Sequence, residues 1–296
     1  MDNIYFESYH TQRVFSADEF SFAVEMLDTY PWIRRELHRR GFDEMIDRLI
    51  LDANERDLLR GLLERFVYLT EDDVESLLSS IIAHIGEWGC TSNDTVFVAL
   101  RNDPRDNDGS NIFLKQLQDR LYGWGKKNFV NFFDPAHRFS RVLHFSKVIL
   151  IDDFIGTGGT VSGRLKTLKE TLEKASPESA VYVVAMAGMK VAKVNHPELG
   201  GDDVFVPLWL DGAFERGTDA YRTELMDKIL DRLDRRNNDF VGHSRNRYGY
   251  GYGDTAGLYY NVHYRIPNNV LSLFWWGCFK KKNNRKEVYH SMFRRA

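Results

Sequence analysis

Two adjacent aspartates, Asp152 and Asp153, are followed after two apolar residues by Gly156, Thr157, Gly158, Gly159 and Thr160. No other stretch combines residue types and spacing so well suited to chemistry. Ahead of it, Val148, Ile149, Leu150 and Ile151 form an apolar run, the pattern of a strand buried on both faces of a parallel sheet. Sheets of that kind place ligands beyond the carboxyl ends of their strands. The glycines allow the chain to curl with its N–H groups inward, and Thr157 and Thr160 add hydroxyls. A helix starting near Val161 directs the positive end of its dipole at the same point. Together these make a phosphate cradle with a diacid beside it. Two carboxylates repel a bare polyphosphate but accept hydrogen bonds from the vicinal hydroxyls of a sugar phosphate, so the ligand implied is a ribose 5-phosphate.

Other phosphate motifs fit poorly. A Walker loop requires Gly-Lys-Ser/Thr, whereas Gly159 is followed directly by Thr160. A dinucleotide fingerprint requires glycine where Val161 stands, and would set the aspartates against the pyrophosphate. An acidic strand-to-helix turn without a ligand is the plain alternative. The thirteen residues from Val148 to Thr160 resemble the signature of the type I phosphoribosyltransferases: an apolar strand, two acids, two apolar residues and Thr-Gly-Gly-Thr. That resemblance implies that Asp152 and Asp153 accept from the ribose 2′- and 3′-hydroxyls. It implies that Gly156, Thr157, Gly158, Gly159 and Thr160 hold the 5-phosphate of phosphoribosyl pyrophosphate (PRPP). It also implies Mg²⁺, bound mainly through the substrate's own diol and pyrophosphate oxygens, assisting departure of pyrophosphate.

Two features depart from the family pattern. The loop after the first core strand, which in type I enzymes grips pyrophosphate, would here be residues 101–111. Arg101 and Arg105 are the catalytic candidates in it, and Ser110 could cap the following helix, but Asp103, Asp106 and Asp108 oppose the arginines. The segment reads either as a pyrophosphate loop or as a solvated polar turn. The second departure is Gly156, where purine-salvage members often carry an aspartate that takes a proton from the acceptor; glycine takes none. The mobile loop that usually precedes the signature strand is short here, residues 134–144. His137, Arg138 and Arg141 are its candidates for closing over pyrophosphate, or else plain surface charge.

The elements that position these residues follow from hydrophobic period. Residues 1–89 read as a helical subdomain. A capping box at Ser16–Glu19 leads into a first helix, and Pro31 suits the first turn of a second. Helical period runs over Glu55–Leu69 and again over Val74–Ile85, with a cap at Thr70–Asp73. Residues 90–212 alternate short apolar runs with helices, which makes the expected fold class α/β with a parallel-sheet, phosphoribosyltransferase-like core. Its expected strands are Thr95–Leu100, Phe129–Phe133, Lys147–Ile151, Ala180–Met186 and Val204–Leu208, with helices at Ile112–Leu121 and Val161–Lys174. Residues 213–278 read as a helix, Ala220–Leu233, and an aromatic-rich extension. Residues 279–296 read as a basic tail, with seven Lys or Arg against Glu287 alone in a chain of net charge −3. Such a tail either touches an anionic partner or only solubilises the chain.

The longest uncharged apolar stretch, Ala180–Met189, is about half a membrane span, and the first residues carry no signal pattern. With Cys90 and Cys278 as isolated thiols, the expectation is a cytoplasmic protein with no membrane partner. In the aromatic extension Tyr248, Tyr250 and Tyr252 alternate with glycine beside Arg245 and Arg247, reading either as base-stacking residues or as a packed or flexible loop. Trp275 and Trp276 read as buried anchors. The helical front, signature, aromatic segment and basic tail together resemble the phosphoribosyltransferase-like effectors of bacterial antiphage systems, including those encoded beside retron reverse transcriptases. That wider resemblance implies a toxic effector partnered by a reverse transcriptase with its DNA–RNA product and by a helix-turn-helix protein, with self-association also open. The alternative is an inactive PRPP or nucleotide sensor, or a scaffold in a nucleoprotein complex.

Overall fold

The structure, a computed structural model, describes residues 15–100, 109–131, 142–214, 219–233, 249–280, 286–288 and 290–293, the stretches 278–280 and 286–288 by their backbone. The helical front forms where the apolar period predicts it. Helix α1 (Ala17–Thr29) starts on the expected box: Glu19 N–H donates to Ser16 Oγ at 3.2 Å, and Ser16 N–H donates to Glu19 Oε2 at 2.9 Å. Pro31 opens a 3₁₀ turn, Pro31–Arg34, and the second helix, α2 (Glu36–Arg48), begins only after it.

The next helix, α3 (Ala53–Glu64), ends short of the expected Leu69 because Val67–Leu69 is a strand, β1. Its partner is Tyr259–Asn261, far along the chain, which it meets in parallel register. A local period cannot reveal a remote partner, and Val67 and Tyr68 are strand-favouring residues once the partner is present. Helix α4 (Glu71–Glu87) follows with its own box, Thr70 and Asp73.

The core is a six-stranded, all-parallel sheet of β2 (Thr95–Ala99), β3 (Phe129–Val130), β4 (Lys147–Ile155), β5 (Ala180–Met189), β6 (Val204–Phe205) and β7 (Trp209–Leu210). Their order is β3-β2-β4-β5-β6, with β7 also paired to β5. The strand expected over Val204–Leu208 ends already at Phe205, short of Pro207, which has no N–H to give a ladder, and a separate strand follows at Trp209. Alternation of side chains separates two apolar layers. Val148, Leu150, Val183 and Ala185 pack with Val161, Leu165, Leu168 and Leu172 of α6 (Gly159–Ala175). Phe97, Ile149, Ile151 and Val184 face the other way, onto α5 (Gly109–Arg120) and the added helices.

Beyond the sheet come α7 (Lys190–Asn195), α8 (Ala220–Arg232) and β8 (Tyr259–Asn261), the partner of β1. Arg232 of α8 donates to both oxygens of Glu55 on α3, at 2.7 and 2.9 Å, and Glu55 is 1% exposed. Trp275 and Trp276 are buried as expected.

The basic C-terminal stretch is not a loose end. Cys278–Lys280 (β9) pairs antiparallel with Lys286–Val288 (β10). After them Ser291, Met292 and Phe293 are buried, Phe293 N–H donates to Phe274 O at 2.9 Å, and the Met292 backbone lies against Gly41 of α2. Apolar residues among the charges, Met292 and Phe293, tie the end of the chain to the helical front. Among the described residues, no helix is long and apolar enough to cross a membrane.

Candidate functional site

Strand β4 is central in the sheet, and its two neighbours treat it unequally. Pairing with β2 stops at Ala99 and Ile151, closed by Leu100 N–H donating to Ile151 O at 3.0 Å. Pairing with β5 continues through Asp152, opposite Ala185, as far as Ile155, opposite Gly188. Residues 152–155 thus remain anchored to β5 after β2 has ended. The divergence falls at the reversal of strand order, because β2 leads outward to β3 whereas β4 leads the opposite way to β5. That reversal is the crevice where open α/β sheets take ligands.

Asp152 and Asp153 are both half-buried at this crevice. Asp152 Oδ1 accepts from Asp153 N–H at 3.0 Å, which fixes its carboxylate beside the strand. Asp153 lies against the first residue of α5. A methyl at Gly109 would fall onto its carboxylate, so the positive end of a helix adjoins a negative charge. Two phenols stand near it. Burial, with the charge of Asp153 as a lesser cause, pushes Tyr259 and Tyr264 well above the usual tyrosine range. Tyr264 donates to Gln116 Oε1 on α5, and Tyr259 is buried beside Asn261.

The signature loop follows directly. Gly158 is the N-cap of α6 at φ +86°, a backbone setting in which a side chain is strained. A methyl there would also come within 2.8 Å of His196 Cδ2 and 2.9 Å of Leu199 Cδ1, so the outer side of the loop is backed by side chains. The cap contributes no side chain and the first turn of α6 holds no acid, which leaves its amides for a ligand. Gly159 and Thr160 are exposed.

Two later segments prop the loop. Asn195 Nδ2 donates to Thr157 O at 3.4 Å from one side. On the other, Gly253 packs on the Thr157 methyl and the Asn269 carboxamide packs on Gly156. Sequence reasoning assigned no role to Gly109, Asn195, His196, Gly253 or Asn269. Their only local signal was the Pro267-Asn-Asn turn and the missing side chain at Gly156.

The remaining sequence candidates divide cleanly. Asp152, Asp153 and Gly156–Thr160 come together at the crevice. Arg101, Arg105, His137, Arg138, Arg141, Arg245, Arg247 and Tyr248 lie outside the described residues. The flanks of residues 101–108 do reach the site, through Leu100 beside Ile151 and Gly109 beside Asp153. Ser110 is buried in the first turn of α5, inside the helix and not at its cap. Tyr250 packs inward, its hydroxyl donating to Thr223 O at 3.2 Å and its ring edge-on to Phe214, whereas Tyr252 is 37% exposed.

This geometry agrees with a comparison of the whole sequence. The profile of the PRTase-CE family, a phosphoribosyltransferase-type family, matches residues 32–295. The chain belongs to the PRTase-CE family. A comparison with curated proteins finds no match. The PRTase-CE match begins after α1 and spans the rest of the helical front, the sheet and the aromatic extension.

Proposed function

We propose that this PRTase-CE protein binds PRPP, or a closely related ribose 5-phosphate, and transfers its phosphoribosyl group. The observation that carries this reading is the diacid at the point where β2 leaves β4, followed at once by the uncapped first turn of α6. In the proposed complex the amides and hydroxyls of residues 156–160 hold the 5-phosphate, and Asp152 and Asp153 accept from the two ribose hydroxyls. In this reading Mg²⁺ would draw most of its oxygens from the ligand, with Asp152 and Asp153 nearby. Bound that way, the ion offsets charge on the departing pyrophosphate.

In the transfer, the bond from C1 of ribose to the pyrophosphate oxygen breaks with its electron pair leaving on pyrophosphate, and the acceptor's lone pair forms the new bond to C1. Arg101 and Arg105 are proposed to follow the leaving group. Gly156 takes no proton, so the acceptor is activated by another group or needs no activation. The biological setting proposed is a toxic effector of a retron-type antiphage system, held by a reverse transcriptase with its DNA–RNA product and by a helix-turn-helix protein.

One observation favours a binding-only reading, a sensor or scaffold: Asp103, Asp106 and Asp108 lie among the arginines that would receive pyrophosphate. Pyrophosphate release from PRPP and Mg²⁺, measured with and without candidate acceptors, separates the two. Release that is abolished in an Arg101→Ala, Arg105→Ala variant supports transfer. PRPP binding with no release under any condition supports the sensor.

A further inference from the structure

Strand β8 packs on the diacid with one face and on the end of the chain with the other. Successive side chains of a strand point to opposite sides, so Tyr259 and Asn261 share one face and Tyr260 takes the other. On the first face the Tyr259 ring lies 5.0 Å from that of Phe154, the residue that follows Asp153 on β4. On the second, Tyr260 stacks on Phe293 with centroids 4.2 Å apart and planes 19° from parallel. Phe293 also stacks on Phe66, just ahead of β1, at 5.4 Å. β1 and β8 form a two-stranded sheet of three residues each. So short a ribbon has little stiffness of its own, and its place is set by what packs on its faces.

The four residues 290–293 that carry Phe293 are seated by directed contacts. His290 N–H donates to Glu44 Oε2 at 3.0 Å, and His290 Nδ1 lies 2.6 Å from Glu44 Oε1. One turn earlier on α2, a side chain at Gly41 would come within 2.4 Å of Met292 N, so the missing side chain there admits the strap's backbone. Phe293 N–H donates to Phe274 O at 2.9 Å. With these contacts confined to four residues, lifting the strap breaks them together, which makes it an element with two positions, seated and released.

We propose that Phe293 is a positioning residue for the diacid: seated on Tyr260, it holds β8 so that Tyr259 backs Phe154 and the end of β4 stays in place for the ligand. This rests on the reading of residues 152–160 as a ribose 5-phosphate site. Strap seating and ligand binding then strengthen each other by the same factor, because coupling between two sites is reciprocal. A residue that only stabilises the fold has no such exchange with the ligand.

The test measures both directions on the full chain. Hydrogen exchange of residues 290–293 is followed with and without saturating PRPP and Mg²⁺, with the turn at Ser176–Ser179, beyond the far end of α6, as the internal reference. The ligand is expected to slow exchange of the strap at least about fivefold and leave the reference unchanged. In the other direction, calorimetry well below the melting temperature should find PRPP bound at least about fivefold more weakly by Phe293→Ala, with affinity restored to within about twofold of wild type in Phe293→Leu, which keeps most of the apolar volume. The exchange measurement needs no variant, so it stands if Phe293→Ala does not fold. PRPP that binds wild type but leaves strap exchange unchanged overturns the proposal and leaves the ligand site standing. So does a Phe293→Ala protein that melts lower yet binds PRPP within about twofold of wild type, which assigns Phe293 to stability alone. Absence of PRPP binding by wild type overturns the ribose 5-phosphate reading, and the coupling with it.

Discussion

Asp152 and Asp153 stand out in the sequence as candidates because the signal is local: acids, glycines and threonines in one short run, with the strand and helix that carry them on either side. What surrounds them does not, because it arrives from elsewhere in the chain. Gly109 is the clearest case. Nothing near it in sequence requires glycine, yet a methyl there would overlap the Asp153 carboxylate. Gly109→Ala should therefore force either the helix start or the carboxylate to shift, costing about 1–3 kcal/mol as overpacking does, with weaker PRPP binding. Urea unfolding and calorimetry on the same sample check both effects; an unchanged unfolding midpoint together with unchanged affinity would show that the contact is soft. Asn269 was hidden for a related reason. Its carboxamide acquires a role only when the 249–257 and 267–272 segments close on each other, and no periodicity reports that closure.

Among the elements, those set by their own hydrophobic period form as expected: α1, α4, α6, α8 and the central strands. The failures are where a distant partner decides. Val67–Leu69 leaves a helical pattern because β8 is there to pair with it, and the strand expected over Val204–Leu208 stops at Phe205, short of Pro207. The link between α3 and α8 is a third such case, invisible in either segment alone. Glu55 is buried and its two oxygens are taken by Arg232, with Leu51 N–H donating a further bond at 2.7 Å. Arg232→Ala leaves that carboxylate buried and unpaired, for an expected loss of about 3 kcal/mol of stability. Replacing the pair together, Glu55→Leu with Arg232→Met, should recover much of that loss, since two apolar side chains carry no unpaired charge. Urea unfolding of the two single variants and the double variant measures the coupling. Losses that simply add would mean the pair contributes nothing beyond its separate packing.

At the scale of the whole molecule, the two ends of the chain share one aromatic cluster. Phe293 stacks on Tyr260 with ring centroids 4.2 Å apart and lies 5.8 Å from Trp32, and His38 meets it edge-on at 4.9 Å. Burial, with Arg35 adding its repulsion, holds the His38 imidazole below its usual value against the opposing pull of the Trp32 carbonyl. The unfolded chain therefore takes up a proton near pH 6.5 that the folded chain refuses, so this contribution is complete above that pH and is lost as the pH falls below it. Stability should decline from pH 7 to pH 5, and the decline should shrink in His38→Gln; a slope unchanged by the substitution would place the titration elsewhere. The same cluster alters how the basic C-terminal stretch must be tested. Cutting the chain after Cys278 removes Met292 and Phe293 from the core as well as the lysines. Neutralising Lys280, Lys281, Lys282, Arg285 and Lys286 to glutamine keeps the strap. If the stretch touches nucleic acid, the salt slope of binding should then become shallower by about 0.7–0.9 for each phosphate that is no longer neutralised. An unchanged slope would show that these charges only solubilise.

The central claim, a ribose 5-phosphate site built on the diacid of β4 and the first turn of α6, is tested most directly by calorimetric titration of PRPP with Mg²⁺ into wild type and an Asp152→Asn, Asp153→Asn variant. Each carboxylate bond to a ribose hydroxyl should contribute about 1.5–3 kcal/mol, so the double variant should bind at least about a hundredfold more weakly while melting close to wild type. Equal affinity in the two proteins would contradict the account.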